Sequence, residues 1–284
     1  MTNAPLLEDR IEALFLPGTA GPIFILFFDT PDGVTRKGGV VLVPPFAEEM
    51  SKARRMYAMQ ARALAASGYS ALLVDLYGTG DSAGDFGDAR WEIWQADIDT
   101  VCQWLHSRGV GRISLIGLRL GALLAMDYVH ARPGEIAQVV LWQPVVSGKT
   151  ALAQFVRMHV VAAMMGRQGE RVRADDLWRR LRDGISVEVA GYTLAPELAQ
   201  AVESLSLAQL VPPSSCTVHW FEVHTEPRSE VSPAARQVLD AWRRQGVGAV
   251  ATSVAGPAFW SSVEIVEAPA LVEATTGAFA PGAD

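Results

Sequence analysis

Apolar and polar positions along this chain alternate between two periods, and the two periods alternate with each other. Ile11 to Leu16 and Pro22 to Phe28 are short β-type runs joined across Gly18 and Gly21, which predicts an antiparallel pair. Gly39 to Val43 is an apolar run stopped by Pro44-Pro45, and Lys52 to Ala66 is an Ala, Met, Arg and Leu segment ending at Ser67-Gly68, a helix with a glycine stop. Tyr69 to Val74 then reads as a buried strand, and Trp94, Ile98, Val101 and Leu105 recur at helical spacing. Further strands are expected at Arg112 to Ile116, Gln138 to Trp142, Thr217 to Val223 and Ala249 to Val254, with helices at Ala122 to Val129 and Pro233 to Gln245. Continuous apolar strands alternating with helices predict an α/β fold: a mostly parallel central sheet with helices on both faces.

The rhythm breaks between Ser147 and Pro213. Helix candidates at Leu152 to Met165, at Arg173 to Arg182 and from Pro196, with an extended piece at Ile185 to Thr193, come without a strong core strand. This predicts a helical cap, residues 147–213, inserted into a core made of residues 1–146 and 214–272. Residues 273–284 are expected to be a flexible tail. The apolar run Ile265 to Leu271 is expected to dock on its own domain or on a second copy, as in a homodimer.

Composition narrows the function. The chain has 284 residues, 50% of them hydrophobic, enough for a large core. A net charge of −7 and a pI near 5.3 argue against nucleic acid as partner. The basic run from Arg167 to Arg182 is interleaved with Glu170, Asp175, Asp176 and Asp183 and reads as a solvated helix face. Cys102 and Cys216 are far apart, with no second cysteine or histidine at metal-ligand spacing, so buried free thiols are expected and no metal or other cofactor. Residues Met1 to Arg10 lack a basic segment followed by an apolar one, and no run approaches the roughly eighteen apolar residues of a membrane span, so a cytoplasmic protein is expected.

The chemistry centres on Gly117-Leu118-Arg119-Leu120-Gly121. A strand runs into it and a helix leaves it, which is the spacing of a nucleophile elbow, where two glycines let a strained turn present its middle side chain at the sheet end. Here that side chain is a guanidinium, protonated at any physiological pH and unable to attack a carbonyl. Other motifs are Val43-Pro44-Pro45-Phe46-Ala47-Glu48-Glu49-Met50 with Arg54-Arg55, and Asp75-Leu76-Tyr77-Gly78-Thr79-Gly80-Asp81-Ser82. Two more are Gly256-Pro257-Ala258-Phe259-Trp260 and Glu267-Ala268-Pro269-Ala270-Leu271. In the second of the four, Asp75 and Ser82 are expected to fix the loop by side-chain to backbone hydrogen bonds.

On these motifs, over residues 40 to 146 and about 217 to 270, the chain resembles the α/β-hydrolase superfamily. Within it the chain is similar to the exosortase A system-associated hydrolase 2 group, encoded near bacterial exosortase and exopolysaccharide genes. The resemblance implies an α/β-hydrolase fold and a serine-type hydrolase, with one oxyanion-hole donor near Phe46 or Ala47 and the other at the Leu120 amide. It also implies a triad in the order Ser, then Asp or Glu, then His after the last strand. The acid position falls at Glu226 or Glu230. Yet the five histidines are His106, His130, His159, His219 and His224, and the loop Ala255 to Ser262 that should carry one has none.

Two readings stay open. In one the chain is a degenerate, non-catalytic member that binds an anionic or acylated small molecule or a partner protein. Arg119 and the two amides would grip a carboxylate or phosphate, with Phe46, Ala47, Glu48, Leu120, Trp142, Phe259 and Trp260 around it. In the other it hydrolyses esters, thioesters or acyl-sugars through an offset nucleophile such as Ser82, Ser147, Ser261 or Ser262, with His224 as alternative base. Arg119 could also pair with Glu48, Glu226 or Glu230 and lock the site, and one of Glu48 and Glu49 could pair with Arg119 or with Arg54 and Arg55.

Overall fold

The structure, a computed structural model, describes residues 10–165, 173–226 and 228–280. The expectations for residues 1–9, for the basic positions at 167–171 and for the tip at 281–284 lie outside them. β1 (Ile11–Pro17) and β2 (Pro22–Phe28) form the antiparallel pair, Ile11 opposite Phe28. There follow β3 (Gly38–Val43), α1 (Glu48–Ala66), β4 (Tyr69–Val74), α2 (Trp91–Ser107), β5 (Ile113–Leu118), α3 (Leu120–Ala131) and β6 (Ile136–Trp142). After an intervening region, β9 (Thr217–His224), α7 (Pro233–Arg243), β10 (Ala249–Ala255) and α8 (Pro269–Gly277) complete the order. The intervening region holds α4 (Gly148–Met165), α5 (Ala174–Arg182), β7 (Val187–Val189), β8 (Tyr192–Leu194) and α6 (Pro196–Glu203).

Eight strands make one sheet in the order β1-β2-β4-β3-β5-β6-β9-β10. β2 meets β4 antiparallel, and every pairing from β4 to β10 is parallel. β3 and β5 are buried along their whole length, as strands covered on both faces must be. Alternation sorts their side chains: Val41, Val43, Leu115, Val139 and Leu141 face α2, α3 and α7, whereas Val40, Leu42, Ile116, Val140 and Trp142 face α1 and α8.

α8 closes the second face. Leu271 and Thr275 are fully buried, and Thr275 Oγ1 accepts a hydrogen bond from Trp142 Nε1 at 2.8 Å. Burying Leu271 alone stabilises the fold by about 1.5–3 kcal/mol. The apolar run Ile265 to Leu271 docks on its own chain through Ala268 and Leu271, one of the two placements expected for it, whereas Ile265 at its start and Val263 before it stay exposed. The tail does not become free at residue 273: α8 continues to Gly277, and Phe279 is buried with its carbonyl accepting from the Tyr69 hydroxyl at 2.9 Å.

Between β6 and β9 the expected extended piece resolves into a hairpin. Ala190 and Gly191 both have positive φ, 51° and 86°, as a two-residue turn between β7 and β8 requires. α4 packs on α6, α5, β7 and α3, and Leu152, Phe155 and Val156 join the same core as α3.

Candidate functional site

Three adjacent strands end in strained backbone. Ala47, Arg119 and Gln143 follow β3, β5 and β6 and have φ of 50°, 56° and 40°, a region that costs a residue with a side chain about 1–3 kcal/mol. All three lie at the carboxyl ends of the strands, where open α/β sheets bind ligands. The elbow holds Arg119 in place: its amide donates to Trp142 O at 3.0 Å, and its carbonyl accepts from Val145 at 3.3 Å. Its glycines leave no room for a side chain. A Cβ on Gly117 would sit 2.5 Å from Ala122 Cα, and one on Gly121 would sit 2.3 Å from Pro44 O. Gly121 thus lets the first turn of α3 press against the loop after β3, bringing the Leu120 amide toward Phe46 and Ala47. As the first residue of α3, Leu120 has an amide with no acceptor inside its helix.

A cavity of about 230 Å³ lies over the elbow. Its apolar wall is Phe46, Val145, Leu152, Phe155 and Trp260; its polar wall is Glu48, Glu49, Lys52 and Arg119. Phe46 stacks edge-on against Phe155 with ring centres 4.9 Å apart, so the loop after β3 and helix α4 meet here. The guanidinium carbon of Arg119 lies 5.8 Å from the centre of the Trp260 ring, within cation–π range. Arg119 Nε donates to Glu49 Oε1 at 3.2 Å, with side chains 21% and 26% exposed. Burial pushes the Glu49 carboxyl above the ordinary carboxylate range, against the pull of Arg119 and Lys52. Lys52 is itself paired with Glu48 at 2.8 Å.

The partner of Arg119 is therefore Glu49, and the pairings with Glu48, Glu226 or Glu230 are corrected. Glu48 lies one position round the helix and faces Lys52; Glu226 and Glu230 are exposed beyond β9, and Glu230 pairs with Arg236. Arg54 pairs with buried Asp75 at 2.5 Å, and Arg55 with Glu267. Of the residues expected around a ligand, Phe46, Glu48, Arg119, Leu120 and Trp260 line the cavity, and Ala47 lines an adjoining hollow with Phe46 and Leu120. Trp142 and Phe259 do not. Strand alternation sends Trp142 to the α1 and α8 face, where it is fully buried and meets Phe259 edge-on at 6.1 Å.

The candidate nucleophiles are committed to backbone. Ser82 Oγ accepts from Phe24 N at 2.7 Å and donates to Asp75 O, and Asp75 Oδ2 accepts from Asp81 N, so this pair fixes its loop. Ser261 and Ser262 each donate to Ala258 O at 3.2 Å, although Ser261 borders the cavity. Ser147 Oγ accepts from Thr150 N at 3.3 Å. Cys102 and Cys216 are buried free thiols, each pushed up to about 12 by burial. His224 lines a separate open cleft with Glu226 and Arg228, its Nε2 3.5 Å from Glu222 Oε2. Glu222 was not foreseen from the sequence. Its strand reads as uniformly buried, and a carboxylate inside such a run was the available signal.

A parallel-centred eight-stranded sheet with helices on both faces and a strained elbow between its fifth strand and third helix defines an α/β-hydrolase-fold protein. Residues 35–190 match the family described as serine aminopeptidase, S33, and the chain belongs to that family. No curated protein matches in sequence. Among solved structures the chain is similar to Est1E from Butyrivibrio proteoclasticus with ferulic acid bound (13% identity, TM-score 0.67, covering 93% of this chain and 97% of that one). It is also similar to a thermostable carboxyl esterase from Bacillus coagulans in complex with glycerol (12%, 0.60, 87% and 90%). A third likeness is to a thioesterase domain from the curacin biosynthetic pathway (16%, 0.55, 94% and 99%). At these identities the likeness concerns the fold. No helix among the described residues is long and apolar enough to cross a membrane.

Proposed function

We propose that this protein is a non-hydrolysing member of its fold that binds an anionic or acylated small molecule over Arg119. The observation that carries this reading is the guanidinium itself, seated by the elbow where the fold presents a nucleophile and bordering a cavity with one apolar wall. The loop from Ala255 to Ser262 contains no imidazole, so a hydroxyl near Arg119 has no base there to take its proton. What remains is the electrostatic half of a hydrolase site. The Arg119 guanidinium and the amides of Leu120 and of Phe46 or Ala47 receive the ligand's carbonyl, carboxylate or phosphate oxygens. Phe46, Leu152, Phe155 and Trp260 take its apolar part. Glu49 occupies Nε of the guanidinium in the meantime, leaving the two terminal nitrogens for the ligand.

In this reading residues 147–213 cap a core of residues 1–146 and 214–272. Resemblance adds a bacterial exosortase- or exopolysaccharide-linked setting and a cytoplasmic location. Calorimetric titration with octyl sulfonate, an amphiphile that stays charged at every working pH, tests it. Arg119→Leu removes charge-assisted hydrogen bonds of about 1.5–3 kcal/mol and weakens binding about 10- to 100-fold. Undiminished binding by that variant overturns the proposal.

One observation favours a second reading, a hydrolase with an offset nucleophile: Ser261 borders the same cavity. That reading needs a base within reach of a hydroxyl now donating to Ala258 O. It predicts covalent capture of Ser261 by a fluorophosphonate.

A further inference from the structure

Beside Arg119 the site opens into a second, smaller chamber of about 160 Å³. Arg119, Val145, Ala151 and Gln154 line both chambers, so the two meet at the guanidinium. Their walls differ in kind. Where the larger chamber presents three aromatic rings, the smaller presents Gln143, Ser147, Thr150, Glu222 and Ser232.

Two of these groups are held in position by the sheet. Gln143 keeps its strained backbone because its amide donates to Phe221 O and its Oε1 accepts from Val223 N, both at 2.7 Å. With the carbonyl end taken, the NH₂ end is what Gln143 offers to the chamber. Glu222 is 4% exposed, and its carboxylate accepts from the amide of Ser232 at 2.7 Å and its hydroxyl at 2.6 Å. Two hydrogen bonds leave lone pairs on each oxygen. Trp220, also in this wall, has a buried indole N–H without a hydrogen-bond acceptor among the described residues.

We infer that the smaller chamber is a subsite for a neutral polyhydroxylated head group, so that the ligand gripped at Arg119 is an acylated polyol. This rests on the binding reading above and names the ligand class for it. A hydroxyl both donates and accepts, which matches a wall that pairs a fixed carboxylate with amide and guanidinium donors. An anionic head would meet the Glu222 carboxylate. An apolar head would leave Gln143 and Glu222 facing a surface that returns no hydrogen bond, at a cost that selects against it. At about 30 Å³ per water, the chamber holds roughly five water volumes, the scale of one small polyol. The acyl chain then lies along Phe46, Leu152 and Phe155, and the ester carbonyl sits at Arg119 and the Leu120 amide.

The test compares methyl octanoate with 6-O-octanoylglucose, which share tail and ester and differ in the head, by calorimetry on the full chain. Octyl sulfonate serves as the probe of Arg119 alone. The sugar ester binds at least tenfold tighter than the methyl ester and is recovered unhydrolysed. Ala234→Trp, which fills the smaller chamber from the first turn of α7 and does not border the larger one, removes that advantage and leaves octyl sulfonate binding within twofold. Thr150→Trp fills it from α4 and substitutes if Ala234→Trp does not fold. Equal affinity for the two esters, or an advantage that survives both fillings, overturns the inference while octyl sulfonate binding leaves the Arg119 reading standing. If octyl sulfonate fails to bind, both fall.

Discussion

Replacing Asp97 with Asn removes a pH dependence that the fold imposes on its own stability. Asp97 lies on α2, fully buried, with Oδ2 accepting from the Tyr77 amide at 2.8 Å and Oδ1 without a hydrogen-bond partner among the described residues. Burial, only partly opposed by that one bond, raises its pKa from 3.8 to about 6. The sign follows from linkage. A carboxyl whose folded pKa is raised holds its proton longer in the folded state, so its stabilising contribution is full below about pH 4 and is lost as pH rises through about 6. At 1.36 kcal/mol per pH unit, that interval is worth about 3 kcal/mol. Asn keeps an acceptor for Tyr77 and cannot ionise. Urea unfolding of both proteins at steps from about pH 4 to 7.5 isolates the effect, because other groups titrate alike in both and cancel. The variant gains about 3 kcal/mol on wild type across the range. A difference that stays flat refutes burial of an ionisable Asp97 as its cause.

Other outcomes follow from the same geometry. Gly121→Ala forces a Cβ to within 2.3 Å of Pro44 O and 2.5 Å of Val43 O, both backbone; it costs about 3 kcal/mol or more in urea unfolding. Gly248→Ala, whose Cβ meets nothing within 4 Å among the described residues, stays within about 0.5 kcal/mol and is the control. Arg119→Ser yields no p-nitrophenyl ester turnover above background, since a serine at the elbow gains no base; substantial turnover that disappears on replacing His224 contradicts this. Because burial raises the Glu49 carboxyl, wild-type affinity for octyl sulfonate falls as pH climbs above the ordinary carboxylate range and Glu49 becomes charged beside the ligand. Glu49→Gln binds about tenfold tighter at neutral pH and shows no such slope in calorimetry, an effect of about 1.4 kcal/mol.

What was legible in the sequence was local. Apolar runs such as Tyr69 to Val74 mark buried strands because both faces of a parallel strand are covered, and the two glycines around Arg119 mark a close approach that the structure places at Pro44 O. α1 starts four residues before the apolar pattern does, because its first turn is Glu48 and Glu49, acidic residues that suit a helix start but bury no stripe. Trp142 faces away from the cavity for a reason of register. Alternation through Val140 and Trp142 fixes which face they share, but which helices cover that face depends on α8, more than a hundred residues later. The smaller chamber was illegible because it draws on the turn after β6, the start of α4, the middle of β9 and the start of α7. Glu49 and Glu48 were indistinguishable as adjacent acids until the helix fixed which one faces the elbow.

In the proposed binding role the elbow grips a ligand and does not cleave it. Treating the pure protein with a fluorophosphonate, followed by intact mass and peptide mapping, and measuring ester and thioester turnover on the same sample, tests this most directly. The expected result is no adduct on any serine and no turnover above the uncatalysed rate. A single serine labelled to stoichiometry, with turnover that the label abolishes, contradicts it and makes the protein a hydrolase with a relocated nucleophile.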